Sequence, residues 1–282
     1  MPVPSPGRVR GRSCHDVGVA ADTSTSAAGA ETGLGEVESD RETKGRAVQV
    51  REEPEERSVA NPPPDELAEE LAEADARLVH APASKAIEWA VERFGRDLVL
   101  AASFQDVVLI DLAVKVDPDI EVVFCDTEAH FPETLAFVDE VATRYGLRLT
   151  VTRPGPDAME WPCGTARCCE LRKVEPLRRS LEDKRAWLTS LKRVDAPTRA
   201  HAPVVGWDAV FGVVKVNPLA TWTDEDVDGY LRDHGLPVHP LVPKGYLSIG
   251  CAPTTRPVAA GEDHRAGRWA GTGKTECGLH AP

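Results

Sequence analysis

Hydrophobic and polar residues follow two different periods along the middle of the chain. In 65–78 and 84–95, apolar residues recur every three or four positions with acidic residues between them, which predicts amphipathic helices. LVLAAS at 98–103 is short and continuously apolar, as expected of a strand that is covered on both faces. IEVVFCDT at 120–127 repeats this strand pattern, and the helical period returns in 132–146.

This succession predicts an α/β fold with a parallel sheet flanked by helices. Strands that alternate with helices of this length are joined by right-handed crossovers, which make neighbouring strands parallel. Further strands are expected in LRLTVT (147–152), AWLTS (186–190) and VVKVNPL (213–219). A further helix is expected after Thr223, whose hydroxyl is well placed to cap it.

The two ends of the chain differ from this domain, which we place over 63–250. Residues 1–62 are mostly small or charged, so they bury too little apolar surface to offset the entropy lost on ordering. We therefore expect a disordered N-terminal tail. The segment 251–282 is rich in Gly, Pro, Arg and Thr and lacks periodicity, which predicts a flexible C-terminal segment.

Composition and net charge indicate where the protein is located and which classes of partner it binds. The formal net charge of −13 disfavours nucleic acid or an anionic membrane as a partner, because both attract a surplus of Lys and Arg. The sequence contains neither a long apolar run nor the apolar core of a signal peptide, so a cytoplasmic location is expected. Seven cysteines in a reducing compartment favour metal or redox chemistry over a disulfide framework.

The cysteines suggest two kinds of site. Cys168 and Cys169 are adjacent and Cys251 follows far along the chain, which suits an iron–sulfur cluster better than one tetrahedral zinc. The alternative is a pair of small buried side chains on a helix. Cys277 lies near the C-terminus among cationic residues, so it is either an activated nucleophile or an incidental tail cysteine. Cys125 and Cys14 are expected to be bystanders.

Several cationic and polar residues are candidates for binding an anion. SFQD and DTEAHFPET directly follow two strands, at the edge where ligands of parallel sheets bind. A basic cluster after the cysteine pair is either a solvated helix face or a site for a small dianion; its members are Arg172, Lys173, Arg178 and Arg179. Four histidines show no metal-ligand spacing and are expected on the surface or in loops: His201, His234, His239 and His264.

Seven motifs give the sequence a specific resemblance from about residue 85 to its end. SFQD, FCDTEAHFPET, CCELRKVEPL, TSLKR, GCAPTTR, DHRAGRW and KTECGLH occur in the order and spacing of assimilatory sulfonucleotide reductases. The chain resembles most the bacterial adenosine 5′-phosphosulfate (APS) reductases. The resemblance implies an adenine nucleotide α-hydrolase-like fold and thioredoxin-dependent reduction of APS to sulfite and AMP, in sulfate assimilation and cysteine biosynthesis.

The resemblance also implies roles for individual residues. Cys277 would be the catalytic nucleophile that forms an S-sulfocysteine, which thioredoxin then reduces. The nucleotide loop would comprise Ser103, Phe104 and Gln105, with Asp126 and Thr127 at the adenosine end. Lys192 and Arg193 would lie near the α-phosphate, and the phosphosulfate would be lined by Lys173, Arg265 and Arg268.

The chain departs from the family pattern at the cofactor site. Cys168, Cys169 and Cys251 match three ligands of a 4Fe-4S cluster, but Thr254 stands where cluster-bearing members have the fourth cysteine. A neutral hydroxyl is a poor substitute for a thiolate. Three possibilities follow: a cluster with an open or oxygen-ligated iron, replacement of the missing ligand by Cys163, and absence of the cluster.

A second departure lies in TSLKR, where Ser190 and Lys192 replace the family's Gly and Arg. Because Lys lacks the bidentate fork of Arg, we expect somewhat weaker substrate binding. The alternatives to an APS reductase are a cluster-free reductase of the 3′-phosphorylated substrate (PAPS) and a non-catalytic nucleotide-binding homologue. A homo-oligomer is compatible with all three.

Overall fold

A computed structural model describes residues 63–280 of the chain. The predicted disordered tail over 1–62, which includes Cys14, lies outside the described residues. Two helices come first, α1 (Asp65–Leu78) and α2 (Ala83–Phe94). Both bury the apolar stripe that the sequence predicts in the main hydrophobic core.

Six strands of the described chain form one sheet. Their bounds are β1 (Leu98–Ala101), β2 (Glu121–Cys125), β3 (Arg148–Thr152), β4 (Ala186–Leu188), β5 (Val205–Asp208) and β6 (Val213–Val216). The order across the sheet is β3-β2-β1-β4-β6-β5, and every pairing except that of β5 with β6 is parallel. The predicted α/β class with a parallel sheet is therefore confirmed.

The edge strand β5 is a difference from the sequence prediction, which has only β6 in this region. β5 is short and contains Gly206, and a glycine weakens the apolar pattern of a strand. Tertiary contacts hold the strand instead. The Asp75 carboxylate of α1 accepts hydrogen bonds from the backbone N–H groups of Val204 and Val205, at 2.6 and 3.1 Å.

Three longer helices follow strands along the chain: α3 (Val108–Val116), α4 (Pro132–Tyr145) and α7 (Asp224–Asp233). α4 ends at Gly146 in a left-handed conformation, as the sequence predicts. Thr223 caps α7 by accepting a hydrogen bond from the Asp226 N–H at 3.2 Å, and the Asp226 carboxylate accepts one from the Thr223 N–H in return. This predicted cap is confirmed.

The basic segment after the cysteine pair forms a helix with a wide turn. α5 (Ala166–Cys169) continues into a π-helical turn over Glu170–Val174 and then into α6 (Glu175–Leu181). Pro176 explains the wide turn, because proline has no N–H to donate to the carbonyl four residues earlier. The turn buries Lys173, which thereby faces the interior of the protein.

The C-terminal segment packs against the sheet domain although it contains little regular structure. A 3-10 turn covers Ala252–Thr254, and Ala252 N–H donates to the Ala129 carbonyl at 2.7 Å. Thr255 and Arg268 form an isolated antiparallel bridge. Between residues 63 and 280, no helix is both long and apolar enough to cross a membrane.

Candidate active site

A deep cleft opens at the carboxyl edge of the sheet, beside β1 and β4. The connections of the sheet diverge here, because β2 lies on one side of β1 and β4 on the other, and ligands of such sheets bind at this kind of position. The cleft encloses about 1210 Å³ of empty space, including the part open to solvent. Its walls are the loops after both strands, the π-helical turn, 248–250, 264–269 and the last described residues.

The loop after β1 places two of its three predicted residues on the cleft. Ser103 and Gln105 line it, and Gln105 Oε1 accepts a hydrogen bond from Ile249 N–H at 2.9 Å. Phe104 has a φ of +55°, and this left-handed turn directs its ring into the core, 5.4 Å from the ring of Phe124. The Phe104 side chain is fully buried, so within the predicted nucleotide loop only its backbone is available to a ligand.

The loop after β2 also differs from the prediction that it contacts the nucleotide. Asp126 and Thr127 are both buried, and neither lines the cleft. The Asp126 carboxylate is 3.2 Å from Arg153 Nε, and Thr127 Oγ1 is 3.4 Å from Cys251 Sγ. The two residues therefore turn away from the cleft, and Thr127 contacts the cysteine site.

Five cationic side chains line the cleft: Lys173, Lys192, Arg199, Arg265 and Arg268. Four of them are predicted site residues. The fifth, Arg199, carries no motif and was missed, because only the fold brings the turn at 197–199 to this edge. The predicted Arg193 is not among the lining residues; its Nε donates to the Ala202 carbonyl at 2.8 Å.

The two lysines are buried and keep their charge. Burial alone would lower the pKa of Lys173, but electrostatic interaction with the sulfurs of Cys251 and Cys277 outweighs it and raises that pKa. Burial likewise opposes the charge on Lys192, whose pKa is raised by a close hydrogen bond to Asp224 and by the carboxylate of Asp195. Lys192 is thus already paired with two carboxylates before any substrate phosphate approaches.

Arg268 lies directly on a glycine. A Cβ added to Gly250 would stand 2.3 Å from Arg268 Nη2, so only glycine allows this approach. The guanidinium donates to the Ile249 carbonyl at 3.1 Å and lies over the Trp269 ring at 4.5 Å. Its buried Nε has no partner among the described residues, which leaves one donor free in the wall of the cleft.

The C-terminal residues pack into the cleft, whereas the sequence predicted a flexible segment. The Glu276 carboxylate accepts hydrogen bonds from Arg199 Nε and Nη2, both at 2.7 Å. His280 stacks on Trp187, with ring centroids 6.0 Å apart and planes 11° apart. Between these two anchors, Cys277 lines the cleft and lies close enough to Lys173, Arg199 and Arg268 to interact with them electrostatically.

The predicted metal ligands gather behind the wall that carries Lys173. Cys168 and Cys169 are buried in α5, and Cys251 is buried just before the 3-10 turn. Cys169 Sγ accepts a hydrogen bond from Lys274 Nζ at 3.0 Å, so the C-terminal segment contacts this site directly. Buried thiols with polar and cationic partners differ from two cysteines that merely fill the core.

A fourth thiol, Cys163, completes the group. It lies within hydrogen-bonding reach of the Cys251 thiol and interacts with Cys168. The hydrogen bond from Cys163, helped by the charge of Lys173 and opposed by burial, lowers the pKa of Cys251 to about 4. The same hydrogen bond, together with burial, raises the pKa of Cys163. We call Cys163, Cys168, Cys169 and Cys251 the cysteine site.

Comparison with known proteins identifies the family to which the chain belongs. Residues 97–257 match the family described as "Phosphoadenosine phosphosulfate reductase domain". The chain belongs to this reductase family. An adenosine 5′-phosphosulfate reductase of Mycobacteroides abscessus is 46% identical over 215 residues, covering 73% of this chain and 91% of the relative. The enzyme of the same name from Mycolicibacterium smegmatis is 44% identical over 225 residues, covering 77% and 95%.

Solved structures agree with the fold of this reductase family member. A phosphoadenylyl-sulfate reductase from Candida auris, in a phosphate complex, superimposes with a TM-score of 0.60 at 25% identity, covering 70% of this chain and all of that one. A Candida glabrata FMN adenylyltransferase with ATP has a TM-score of 0.50 at 18% identity, covering 66% and 64%, and supports the fold alone.

The structure also locates two other groups that the sequence singles out. His239 lies in a loop, as expected, but it is buried there: it accepts a hydrogen bond from Leu241 N–H at 3.1 Å, and its other nitrogen lies 3.0 Å from Thr134 Oγ1. The basic cluster divides in two. Arg178 and Arg179 are exposed and donate to backbone carbonyls, while Arg172 and Lys173 are buried.

Proposed function

We propose that this chain is a thioredoxin-dependent APS reductase, which releases sulfite and AMP. The observation that carries the proposal is the position of Cys277, whose sulfur lies in a cleft with several cations around it. A thiolate approaches an anionic sulfate only where positive charge offsets their repulsion. A general nucleotide-binding protein has no need of a cysteine at this place.

The first chemical step is a displacement at sulfur. The Cys277 thiolate attacks the sulfate sulfur of APS, a sulfur–sulfur bond forms, and the bond from sulfur to the bridging oxygen breaks. AMP leaves with that electron pair, and an S-sulfocysteine remains on the chain. Lys173, Arg265 and Arg268 bind the phosphosulfate, and the free Nε donor of Arg268 is available to one of its oxygens.

The second step restores the enzyme. One thiolate of thioredoxin attacks Cys277 Sγ, and sulfite leaves with the electron pair of the sulfur–sulfur bond. The second thioredoxin thiol then displaces Cys277 as a thiolate. Two thiols are thereby oxidised to a disulfide while sulfate sulfur is reduced to sulfite, so electrons balance. The docked segment must leave the cleft before thioredoxin reaches Cys277, and the hydrogen bonds of Lys274 and Glu276 are among the contacts that must break.

The cysteine site fits the iron–sulfur cluster that the family resemblance implies. Cys251 and Cys169 of this site lie near Lys173, Cys163 interacts with Cys251 and Cys168, and thiolates are the usual protein ligands of such clusters. Cys168 and Cys169 of α5 and Cys251 beside the 3-10 turn would hold such a cluster, and their shared ligation would help to fix the π-helical turn that carries Lys173. The chain's own residues bind and orient the substrate, and no step above passes electrons through the cluster.

Three observations favour APS over PAPS as substrate. The relatives reported above carry the APS name, the cysteine site contains four thiols, and the Cys168–Cys169 pair with Cys251 matches cluster-bearing members, although Thr254 departs from them. The solved structure at 25% identity is a PAPS enzyme, so the test must include both substrates. A cytoplasmic location, where thioredoxin is reduced, is part of the same proposal.

The proposal is tested by sulfite release with thioredoxin, in separate assays with APS and with PAPS. We expect wild type and Cys14→Ser to release sulfite from APS, and Cys277→Ser to release none. Intact mass after incubation with APS alone should show one added SO₃ group on wild type and none on Cys277→Ser. Sulfite from Cys277→Ser would refute the mechanism, faster turnover of PAPS would refute the substrate, and no adduct on wild type would favour a non-catalytic homologue.

A further inference from the structure

Thr254 is poorly suited to bind iron in this fold. Its hydroxyl is 3.4 Å from the Cys251 carbonyl oxygen, to which it donates within the 3-10 turn. A neutral hydroxyl is also a weak ligand beside thiolates. The Thr254 methyl faces the loop before α5, so its Cγ2 would stand only 2.9 Å from a Cβ added to Gly164.

Cys163 occupies the space in front of Thr254. Its thiol interacts with the Cys251 thiol and the Thr254 hydroxyl, and the next residue, Gly164, lies against the Thr254 methyl group. It also interacts with Cys168, so it reaches both halves of the cysteine site. Cys163 is half-buried, in contrast to the exposed Trp161 and Pro162 that precede it.

The loop that carries Cys163 is fixed rather than free. Thr165 donates to the Pro162 carbonyl at 3.0 Å and accepts from Cys168 N–H at 3.2 Å, which closes the loop onto α5. Lys274 Nζ donates to the Gly164 carbonyl at 3.0 Å from the other side. Gly164 has a φ of +95°, a conformation that a side chain disfavours, and it is this turn that brings Cys163 over Thr254.

We propose that Cys163 supplies the fourth thiolate ligand of the iron–sulfur cluster in this chain, in place of the family cysteine that is Thr254 here. The inference rests on the cluster named under the proposed function. Each of the four thiols loses its proton when it binds iron, and the resulting set is Cys163, Cys168, Cys169 and Cys251. The ligand thereby moves from the 3-10 turn over Ala252–Thr254 to the facing loop before α5.

The experiment measures iron and acid-labile sulfide per full-length chain after anaerobic purification, together with the Mössbauer spectrum. Wild type should contain four irons, and Cys163→Ser should lose at least one of the four. Adding Thr254→Cys to Cys163→Ser should restore the wild-type content, because it returns the family ligand. Cys125→Ser removes a half-buried thiol outside the site and should retain the full content.

Two results would overturn the proposal. One is Cys163→Ser with four irons and an unchanged Mössbauer spectrum, which would mean that Thr254 or solvent completes the site. The other is iron-free wild type with a Cys163–Cys251 disulfide in its peptide map. These readouts do not depend on sulfite release, so loss of the proposed activity and loss of the proposed ligand are distinguishable.

A second measurement needs no variant and so remains decisive if Cys163→Ser does not fold. Native wild type is alkylated before and after iron is removed by a chelator, and each cysteine is quantified by peptide mass. Cys163 should become reactive together with Cys168, Cys169 and Cys251 when iron leaves. Equal labelling of Cys163 in both states would contradict the proposal.

Discussion

The ion pair between Glu276 and Arg199 is expected to hold the nucleophile in the cleft. Both side chains are nearly buried, with 12% and 7% of their surface exposed. Glu276→Gln removes the charge and turns an amide N–H₂ toward the guanidinium, while Arg199 keeps its contact with the Asp195 carboxylate at 3.0 Å. The variant therefore weakens docking of the C-terminal segment without leaving Arg199 unpaired.

The size of the effect follows from the two bonds that are lost. A hydrogen bond to a charged group contributes about 1.5–3 kcal/mol, and the amide retains part of one of them. We therefore expect Glu276→Gln to make docking of the C-terminal segment less favourable by about 2–3 kcal/mol. Because about 1.4 kcal/mol corresponds to a factor of ten, the population of the docked form relative to the undocked form should fall roughly 30- to 150-fold.

The assay is the single-turnover rate of S-sulfocysteine formation, followed by intact mass at saturating APS without thioredoxin. If the undocked form predominates in Glu276→Gln, the rate should be lower than that of wild type by up to the factor worked out above. The melting temperature should change little, because the C-terminal segment is peripheral. Glu262→Gln is the matched control, since Glu262 makes a bidentate pair with Arg256 at 2.8 and 3.0 Å on the surface. A Glu276→Gln rate equal to wild type would refute the reasoning, and a faster rate would mean that the docked segment obstructs the substrate.

Two further predictions concern the wall of the cleft and the core. Gly250→Ala should displace Arg268 and weaken APS binding at least tenfold, as measured by titration in the Cys277→Ser background. Gly155→Ala is the control, because a Cβ there meets no atom within 4 Å, and it should bind APS as tightly as the parent. Equal affinities of the Gly250→Ala and Gly155→Ala variants would contradict this prediction. Burial lowers the pKa of His239 to about 4, below its ordinary 6.5, so stability present above pH 6.5 should be lost as pH falls toward 4. The loss is on the order of 2 kcal/mol, and urea titrations of His239→Gln should lack that acid-dependent decline; an unchanged decline would assign it to other groups.

Much of the fold was predictable because local patterns and burial agree. The continuous apolar runs became β1 and β2, and Thr223 capped α7, because such features depend on residues close together in sequence. β5 was missed because its stability comes from Asp75 of α1 and from pairing with β6, both of which are non-local. The π-helical turn also escaped prediction, although Pro176 marks the place where a helical hydrogen bond is missing.

Residues of the candidate site were predictable from the sequence when they lie in a motif. They were less predictable when only the fold brings them to the cleft. Lys173, Arg265 and Arg268 lie in motifs and line the cleft. Arg199 lies in no motif, and it replaces Arg193 at the cleft because the turn at 197–199 faces inward. Direction of a side chain, unlike its presence, depends on backbone conformation.

The sequence alone determined that this chain has an α/β core, a cysteine pair and a distant third cysteine, and a terminal cysteine among cations. These properties are encoded by residue type and spacing. Only the tertiary structure decided that Phe104 turns into the core, that Glu276 and His280 anchor the terminal segment in the cleft, and that Cys163 faces Thr254. The physical reason is that each of these contacts joins segments far apart in sequence, so no local pattern specifies it.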